Sequence, residues 1–144
     1  MKNFLLIILL ISTKSFCQSA LVKFNESNRP KDSGEIVDVS ILQLLCNPEK
    51  YDGKLIMVKG FIKIEFEGTA IYFHKEDCEN HISQNSIWLN ISKETYHSLK
   101  SECSDKYGSV IGTFKADQKG HFGGFGGEII SINGIFPNDY YAKD

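Results

Sequence analysis

Arginine is almost absent from this chain of 144 residues, in which Arg29 is the only example. Lysine supplies the other basic side chains, and 18 acidic residues outnumber the 16 basic ones, for a formal net charge of -2. Affinity for nucleic acids comes mostly from the neutralisation of phosphates by Lys and Arg. The composition therefore disfavours a protein that binds nucleic acids.

The chain also lacks an apolar run long enough to cross a bilayer, which takes about 20 residues. The run Phe4–Ile11 follows Lys2 and has the length of a signal-peptide core. Ser15–Cys17 then provides small residues at a signal-peptidase site. We predict a cleavable signal peptide at residues 1–17, export to the periplasm or beyond, and no transmembrane segment in the mature chain. A buried N-terminal helix is the alternative.

Cys17 permits a second interpretation, because a lipoprotein signal ends at a cysteine that becomes acylated. The preceding residues Thr13–Phe16 do not match a lipobox, so we favour soluble release over lipid anchoring through Cys17. Cleavage removes Lys2 and Lys14 and no acidic residue, which leaves 14 basic residues against 18 acidic ones. The mature protein is then more acidic than the full chain.

The composition divides the mature chain into three parts. Residues 18–35 contain Asn, Ser, Lys, Asp, Pro and Gly with little apolar periodicity, and we predict a flexible leader there. The remaining length suits one domain with one core. We place this domain at residues 36–136, followed by a C-terminal tail at 137–144.

Five strands and two helices are predicted in this domain. Ser40–Gln43 has the pattern of a capping box at the start of a short helix. Apolar residues alternate along Lys54–Phe66, where Gly60 marks a bend in a long strand. The remaining elements are strands at Ala70–His74 and Ile87–Ile91, a helix capped by Ser92, and strands at Tyr107–Phe114 and Glu128–Phe136.

This order, with three strands, a helix and two more strands, is that of an OB-fold, a five-stranded Greek-key barrel. A six-stranded sandwich or a small lipocalin-like sheet is the alternative. Ser40–Phe66, with Asn47–Lys54 at its centre, Glu67-Gly68 ahead of Ile71-Tyr72, and His74–Asp77 resemble small uncharacterised exported bacterial OB-fold proteins. The resemblance covers about residues 36–136, and it implies a fold but no activity.

The ligand face of an OB-fold lies over its second and third strands, flanked by the loops that join strands one to two and four to five. We expect Ile71, Phe73, Ile87 and Leu89 to point inward and their neighbours outward. The candidate ligand-binding residues are these outward side chains together with those of the glycine-rich loop: Tyr72, His74, Trp88, Asn90, His121, Phe122 and Phe125. Alternatively, Tyr72 and Trp88 pack beneath this loop as a second small core, and the loop is a flexible hairpin tip.

Three cysteines remain after signal cleavage, in a compartment that permits disulfides. Cys78 follows the second strand and Cys103 ends the second helix, so both are expected at the periphery. We predict a disulfide between Cys78 and Cys103. Cys46 is expected to be buried beside Leu42 and Leu45 as a small hydrophobic residue.

His74, Asp77, Cys78 and His81 are residue types that bind zinc, but their spacing matches no established motif. The chain also has no nucleophile elbow, phosphate loop or His-Glu-x-x-His. We therefore predict no catalytic residue, no metal site and no cofactor.

These observations favour an exported, non-enzymatic domain that binds a peptide, protein or glycan partner in the envelope or outside the cell. One alternative is a small metal-dependent hydrolase that uses His74, Asp77 and His81. Another is a protein that binds single-stranded nucleic acid by stacking bases on Tyr72 and Trp88.

Overall fold

A computed structural model describes residues 34–138 of the chain. The predicted signal peptide at residues 1–17, with Cys17, lies outside the described residues, as do most of the predicted leader and C-terminal tail. Those assignments stay predictions. Between residues 34 and 138, no helix is both long enough and apolar enough to span a membrane.

The described chain consists of short helices around six strands. The strands are β1 (Val37–Ser40), β2 (Leu55–Lys63), β3 (Ala70–Tyr72), β4 (Ser86–Leu89), β5 (Lys106–Lys115) and β6 (Glu128–Pro137). The helices are α1 (Ile41–Cys46), α2 (Pro48–Tyr51), α3 (Lys75–Glu79) and α4 (Lys93–Cys103), and a 3-10 turn covers Ser83–Asn85.

Five of the strands close into a barrel. β2 pairs antiparallel with β3 and with β5, β3 pairs antiparallel with β4, and β5 pairs antiparallel with β6. The ring is completed by β4 and β6, which run parallel to each other. The prediction of a mainly β protein with a five-stranded barrel is therefore confirmed, and the alternative of a six-stranded sandwich is wrong. β1, which the sequence pattern did not indicate, adds a parallel pairing to β2.

Gly60 lies where β2 changes its neighbour. Residues 56–59 of β2 pair with β1, and residues 61–63 pair with β3. The carbonyl of Tyr72 and the side chain of Ile41 occupy the space that a Cβ atom at position 60 would need. A side chain there would push the neighbouring chain away, so glycine allows one strand to serve two partners.

The barrel interior is filled by apolar side chains, almost all of them aliphatic, at alternating strand positions. Full burial of each such side chain contributes about 1.5–3 kcal/mol to folding. Leu99 and Cys103 of α4 join the same core. The strand residues in this core that have no exposed surface are Ile56, Val58, Ile62, Ile71, Ile87, Val110, Phe114, Ile129 and Ile135.

Phe66 departs from the predicted alternation. The expected long strand ends at Lys63, and Ile64 is the last apolar residue of the series that is buried. Phe66 lies in the turn that follows and is 77% exposed. The chain reverses at this point to form β3, so the period of two no longer sets the direction of the side chain.

Both predictions about cysteines are wrong. Cys78 and Cys103 are not bonded to each other. The reason is that Cys103 is buried in the barrel core, whereas Cys78 packs against a separate apolar cluster. Cys46 is exposed, because α1 buries the face that carries Ile41 and Leu44, and a residue two positions after Leu44 points away from that face.

Candidate functional site

An open groove of about 930 Å³ lies beside β4. Three parts of the chain line it: the turn between β2 and β3, the end of β4 with the start of α4, and the glycine-rich loop with the first residue of β6. The lining residues are Glu65, Phe66, Glu67 and Thr69 from the turn, Trp88–Lys93, Tyr96 and His97 from the second part, and Gly120, His121 and Glu128 from the third.

Thr69 fixes the turn between β2 and β3. The backbone N–H of Glu65 donates to Oγ1 of Thr69 at 3.1 Å, and this hydroxyl donates to the carbonyl of Glu65 at 2.6 Å. Thr69 is only 3% exposed, so its two hydrogen bonds are shielded from water. The closed turn holds Phe66 and Glu67 out in solvent at the groove.

A small apolar cluster, which we call the outer cluster, lies apart from the barrel core. It consists of the buried residues Phe61, Ala70, Tyr72 and Phe125, with Trp88 and Cys78 packed against it. The rings of Trp88 and Phe125 meet edge to face, with centroids 5.1 Å apart. Burial raises the pKa of the Tyr72 phenol to about 12. Trp88 contributes both to this cluster and to the lining of the groove.

The glycine-rich loop folds over Trp88. Gly120 has a φ of +67°, and a Cβ atom built on it would lie 2.8 Å from the indole atoms Cδ2 and Cε3. The N–H of Gly126 donates to the carbonyl of Ser86 at 2.9 Å, and the N–H of Trp88 donates to the carbonyl of Gly127 at 3.0 Å. The loop is therefore anchored along β4.

The tip of this loop remains in solvent. His121 and Phe122 are exposed, and Phe122 keeps 74% of its surface accessible. The two rings contact each other edge to face with centroids 5.4 Å apart. Because His121 lines the groove, the tip brings Phe122 next to a lining residue.

Asn90 and Glu128 form a polar pair in the groove lining. Nδ2 of Asn90 donates to Oε1 of Glu128 at 2.7 Å. Glu128 is 8% exposed and opens β6, where its backbone is in register with Trp88 of β4. The parallel pairing of β4 and β6 thus places Glu128 in register with Trp88, and both residues line the groove.

The start of α4 supplies the remaining lining residues. Oγ of Ser92 accepts from the N–H of Thr95 at 3.4 Å and caps the helix. Lys93, Tyr96 and His97 then line the groove from the first turns. The hydroxyl of Tyr96 accepts from Nζ of Lys100 at 3.0 Å, which fixes the ring on the helix surface.

The structure brings together only part of the predicted binding surface. Trp88, Asn90 and His121 line the groove, and Phe122 is at the adjacent tip. Tyr72 and Phe125 are buried in the outer cluster, as in the alternative interpretation of a second small core.

His74 does not line the groove. It precedes α3, and its ring packs on Phe73 with centroids 4.0 Å apart. The predicted strand Ala70–His74 ends at Tyr72 in the structure, and a five-residue helix, which the sequence pattern did not indicate, follows His74.

Several lining residues were missed by the sequence reasoning. The loop between the first two barrel strands was expected to flank the ligand face, so its residue Glu67 could have been included. Glu65 and Phe66 were missed because the predicted strand extended to Phe66, whereas β2 ends at Lys63. Tyr96 and Glu128 carried no comparable signal. Tyr96 has the helical spacing of a core residue, and Glu128 reads as an ordinary first residue of a strand.

Asp77, proposed above as a hydrolase residue, is used within the fold. Its Oδ2 accepts from the backbone N–H of His74 at 3.2 Å, and its Oδ1 accepts from Nδ2 of Asn85 at 2.8 Å. The residue is 9% exposed. Among residues 34–138, no three His, Cys, Asp or Glu side chains are grouped so that they could hold a metal ion.

The groove therefore combines aromatic rings with carboxylates. Phe66, Trp88 and Tyr96 provide apolar surface, and Glu65, Glu67 and Glu128 provide acceptors. Such a surface can bind a partial or full positive charge beside an apolar group. No protein-family model, no curated protein and no solved structure matches this chain.

Proposed function

We propose that this chain is an exported, non-enzymatic binding protein whose domain, at residues 36–136, takes a peptide, protein or glycan partner into the groove beside β4. The order of the strands in the barrel supports an OB-fold. The ring runs β2, β3, β4, β6 and β5, and α4 lies between β4 and β5. This is a Greek-key arrangement of five strands with a helix after the third.

The observation that carries the proposal is the position of the groove. It is lined by the end of β4, by the start of α4, by the turn between β2 and β3, and by the loop between β5 and β6. In an OB-fold, β4 is the third strand, which forms part of the ligand face, and the turn and the loop are the two that flank this face. β3, the second strand, contributes none of the lining residues. Its volume of about 930 Å³ suits a ligand of several side chains or sugar rings.

Two exposed phenylalanines at the groove support the same conclusion. Phe66 and Phe122 are 77% and 74% exposed, on the two loops that flank β4. Single exposed apolar side chains are common on protein surfaces, so the weight of these two comes from their position: Phe66 lines the groove, and Phe122 contacts His121, which also lines it. A partner in the groove would contact Phe66 and could reach Phe122 at the adjacent tip.

The two alternative functions receive less support. Nucleic acids require basic side chains, and the groove lining has three glutamates against Lys93 as its one lysine. A hydrolase built on His74, Asp77 and His81 would need the carboxylate of Asp77, whose two oxygens already accept hydrogen bonds. Export, in this proposal, depends on the predicted signal peptide at residues 1–17.

Probing peptide and glycan arrays with the purified protein tests the proposal. We expect ligands that are bound by the natural protein and lost when Phe66→Ala and Phe122→Ala are combined. Leu42→Ala is the matched control, since Leu42 is an exposed apolar residue of α1 that does not line the groove. Binding that survives the double substitution, or that is lost equally in the control, would place the site elsewhere.

A further inference from the structure

We infer that the groove receives a basic polypeptide segment, in which lysine or arginine stands beside apolar residues. This inference rests on the proposed binding function and narrows its partner to one chemical class. Three features carry it: the charges of the lining, the aromatic residues among those charges, and the size of the groove.

The lining of the groove is predominantly acidic. Glu65, Glu67 and Glu128 contribute carboxylates, and Lys93 is the one lysine or arginine that lines it. The negative charge of Glu65 is partly compensated by Lys63, whose Nζ lies 3.7 Å from Oε1 of Glu65. Glu67 is exposed and forms no ion pair with any residue from 34 to 138. A cationic partner would find one uncompensated carboxylate at the rim and two others along the lining.

Aromatic rings lie among these carboxylates. Phe66 stands between Glu65 and Glu67 in the exposed turn, so the rim presents acid, apolar and acid in succession. The complementary sequence is one in which basic and apolar side chains are neighbours. Trp88 also offers ring surface, which attracts lysine ammonium or arginine guanidinium groups, whereas the ring of Tyr96 already has Nζ of Lys100 5.4 Å from its centroid.

The same features distinguish a basic peptide from other ligands. A neutral glycan has no charge to pair with Glu67, and a nucleic acid or an acidic peptide would be repelled by the three glutamates. The groove volume of about 930 Å³ matches a site that encloses a few side chains rather than a flat protein interface. A short extended polypeptide segment with basic side chains suits both the charge and the volume of the groove.

Trp88 provides a direct measurement, because it is the only tryptophan in the chain and it lines the groove. The purified protein is titrated with three short peptides of equal length, in which leucine alternates with lysine, glutamine or glutamate. We expect the lysine peptide alone to change the Trp88 emission with saturation. Its affinity should fall as salt is raised, because the Debye length shortens from about 10 Å at 0.1 M to 3 Å at 1 M.

Single substitutions test the role of charge without disturbing the core. Glu67→Gln should weaken binding of the lysine peptide by roughly two- to fivefold, as for an exposed ion pair. Lys93→Gln should strengthen it by a similar factor, which is an effect of opposite sign that loss of stability would not produce. Glu49→Gln is the control, since Glu49 is an exposed glutamate of α2 outside the groove lining.

The outcomes separate the inference from the function on which it rests. Saturable binding of a neutral oligosaccharide or of the glutamate peptide, without binding of the lysine peptide, would overturn the inference and leave a binding groove. Equal affinity for the lysine and glutamine peptides, unchanged in Glu67→Gln, would also overturn it. The proposed function fails as well if no peptide or glycan changes the Trp88 fluorescence and if array binding is the same in the natural protein and in the variant with Phe66→Ala and Phe122→Ala.

Discussion

Gly120 lies against the six-membered ring of the Trp88 indole, at a φ of +67° that side-chain-bearing residues rarely adopt. The contact joins the glycine-rich loop to a residue that packs on Phe125 on one side and lines the groove on another. The shape of the groove at this point therefore depends on the absence of a side chain at position 120.

Replacement of Gly120 by alanine should displace the loop from Trp88. We expect Gly120→Ala to lower the free energy of unfolding by about 1–3 kcal/mol through overpacking, in addition to the cost of the positive φ. Gly123→Ala is a matched control. Gly123 also has a positive φ, of +69°, but no atom lies within 4 Å of the position that an alanine Cβ would take. Urea denaturation followed by Trp88 fluorescence measures both variants. Equal destabilisation by the two would show that the contact with Trp88 contributes nothing.

The hydrogen bond between Asn90 and Glu128 should be sensitive to charge. In Asn90→Asp two carboxylates would face each other at the position where Nδ2 now donates at 2.7 Å. We expect a loss of about 1–3 kcal/mol of stability at pH 7, because Glu128 is almost buried and loses its donor.

Asn90→Ala separates the two causes of this loss. It removes the donor without adding a charge, so its loss of stability should be smaller than that of Asn90→Asp. Thermal unfolding of both variants at pH 7 makes the comparison. If Asn90→Asp is no less stable than Asn90→Ala, the two side chains do not interact in solution as they do in the structure.

Periodicity predicted the parts of the fold in which burial alternates. The apolar residues of β2, β3 and β4 gave the correct inward face, since Ile56, Val58, Ile62, Ile71 and Ile87 are all buried. Gly60 also marked the position at which β2 changes its neighbouring strand. Both signals are local, because one face of a strand meets the core and glycine leaves room for a neighbouring chain.

The features that could not be predicted depend on contacts distant in sequence. The burial of Tyr72 and Phe125 results from the loop folding over β4, and no periodic pattern encodes that closure. Exposure of Phe66 results from the turn that Thr69 fixes. Asp77 resembled a metal ligand because only the fold brings Asn85 to its carboxylate.

The ion pair between Lys63 and Asp105 should make a small, pH-dependent contribution to stability. Nζ of Lys63 donates to Oδ1 of Asp105 at 2.6 Å. This bond lowers the pKa of Asp105 from its ordinary value of 3.8 and raises the pKa of Lys63 from 10.5. The stabilisation by the ion pair is fully present between the two ordinary pKa values, from pH 3.8 to pH 10.5. It is lost as the pH falls through the lowered pKa of Asp105, and again as the pH rises through the raised pKa of Lys63.

Asp105→Asn tests this contribution and retains a residue type that tolerates the φ of +61° at this position. The side chain of Asp105 is 61% exposed, so solvent screening limits the expected loss at pH 7 to below about 1 kcal/mol. Asp38→Asn is the control, because Asp38 and Lys59 are 3.9 Å apart on the surface. A stability difference between the natural protein and Asp105→Asn that stays constant from pH 2 to pH 8 would contradict the assignment.

Tyr72 should make the protein less stable at high pH. Burial raises its pKa from 10.0 to about 12, so the folded state favours the neutral phenol. The contribution of the neutral Tyr72 phenol to the free energy of unfolding is fully present below pH 10. It is lost as the pH rises from about 10 to 12, by roughly 1 kcal/mol per pH unit. Tyr72→Phe keeps the ring in the outer cluster and removes the ionisable group. The variant should match the natural protein within about 0.5 kcal/mol at pH 7 and exceed it above pH 10.

Two measurements check this prediction independently. Urea denaturation at pH 7, 10 and 11 gives the difference in stability between the natural protein and Tyr72→Phe. Effects of pH that are common to both proteins cancel in this difference. Phenolate absorbance should show an ionisation near pH 12 that is missing from the variant. If the stability difference stays flat across these pH values, Tyr72 is open to water, and the glycine-rich loop does not cover the outer cluster in solution as it does in the structure.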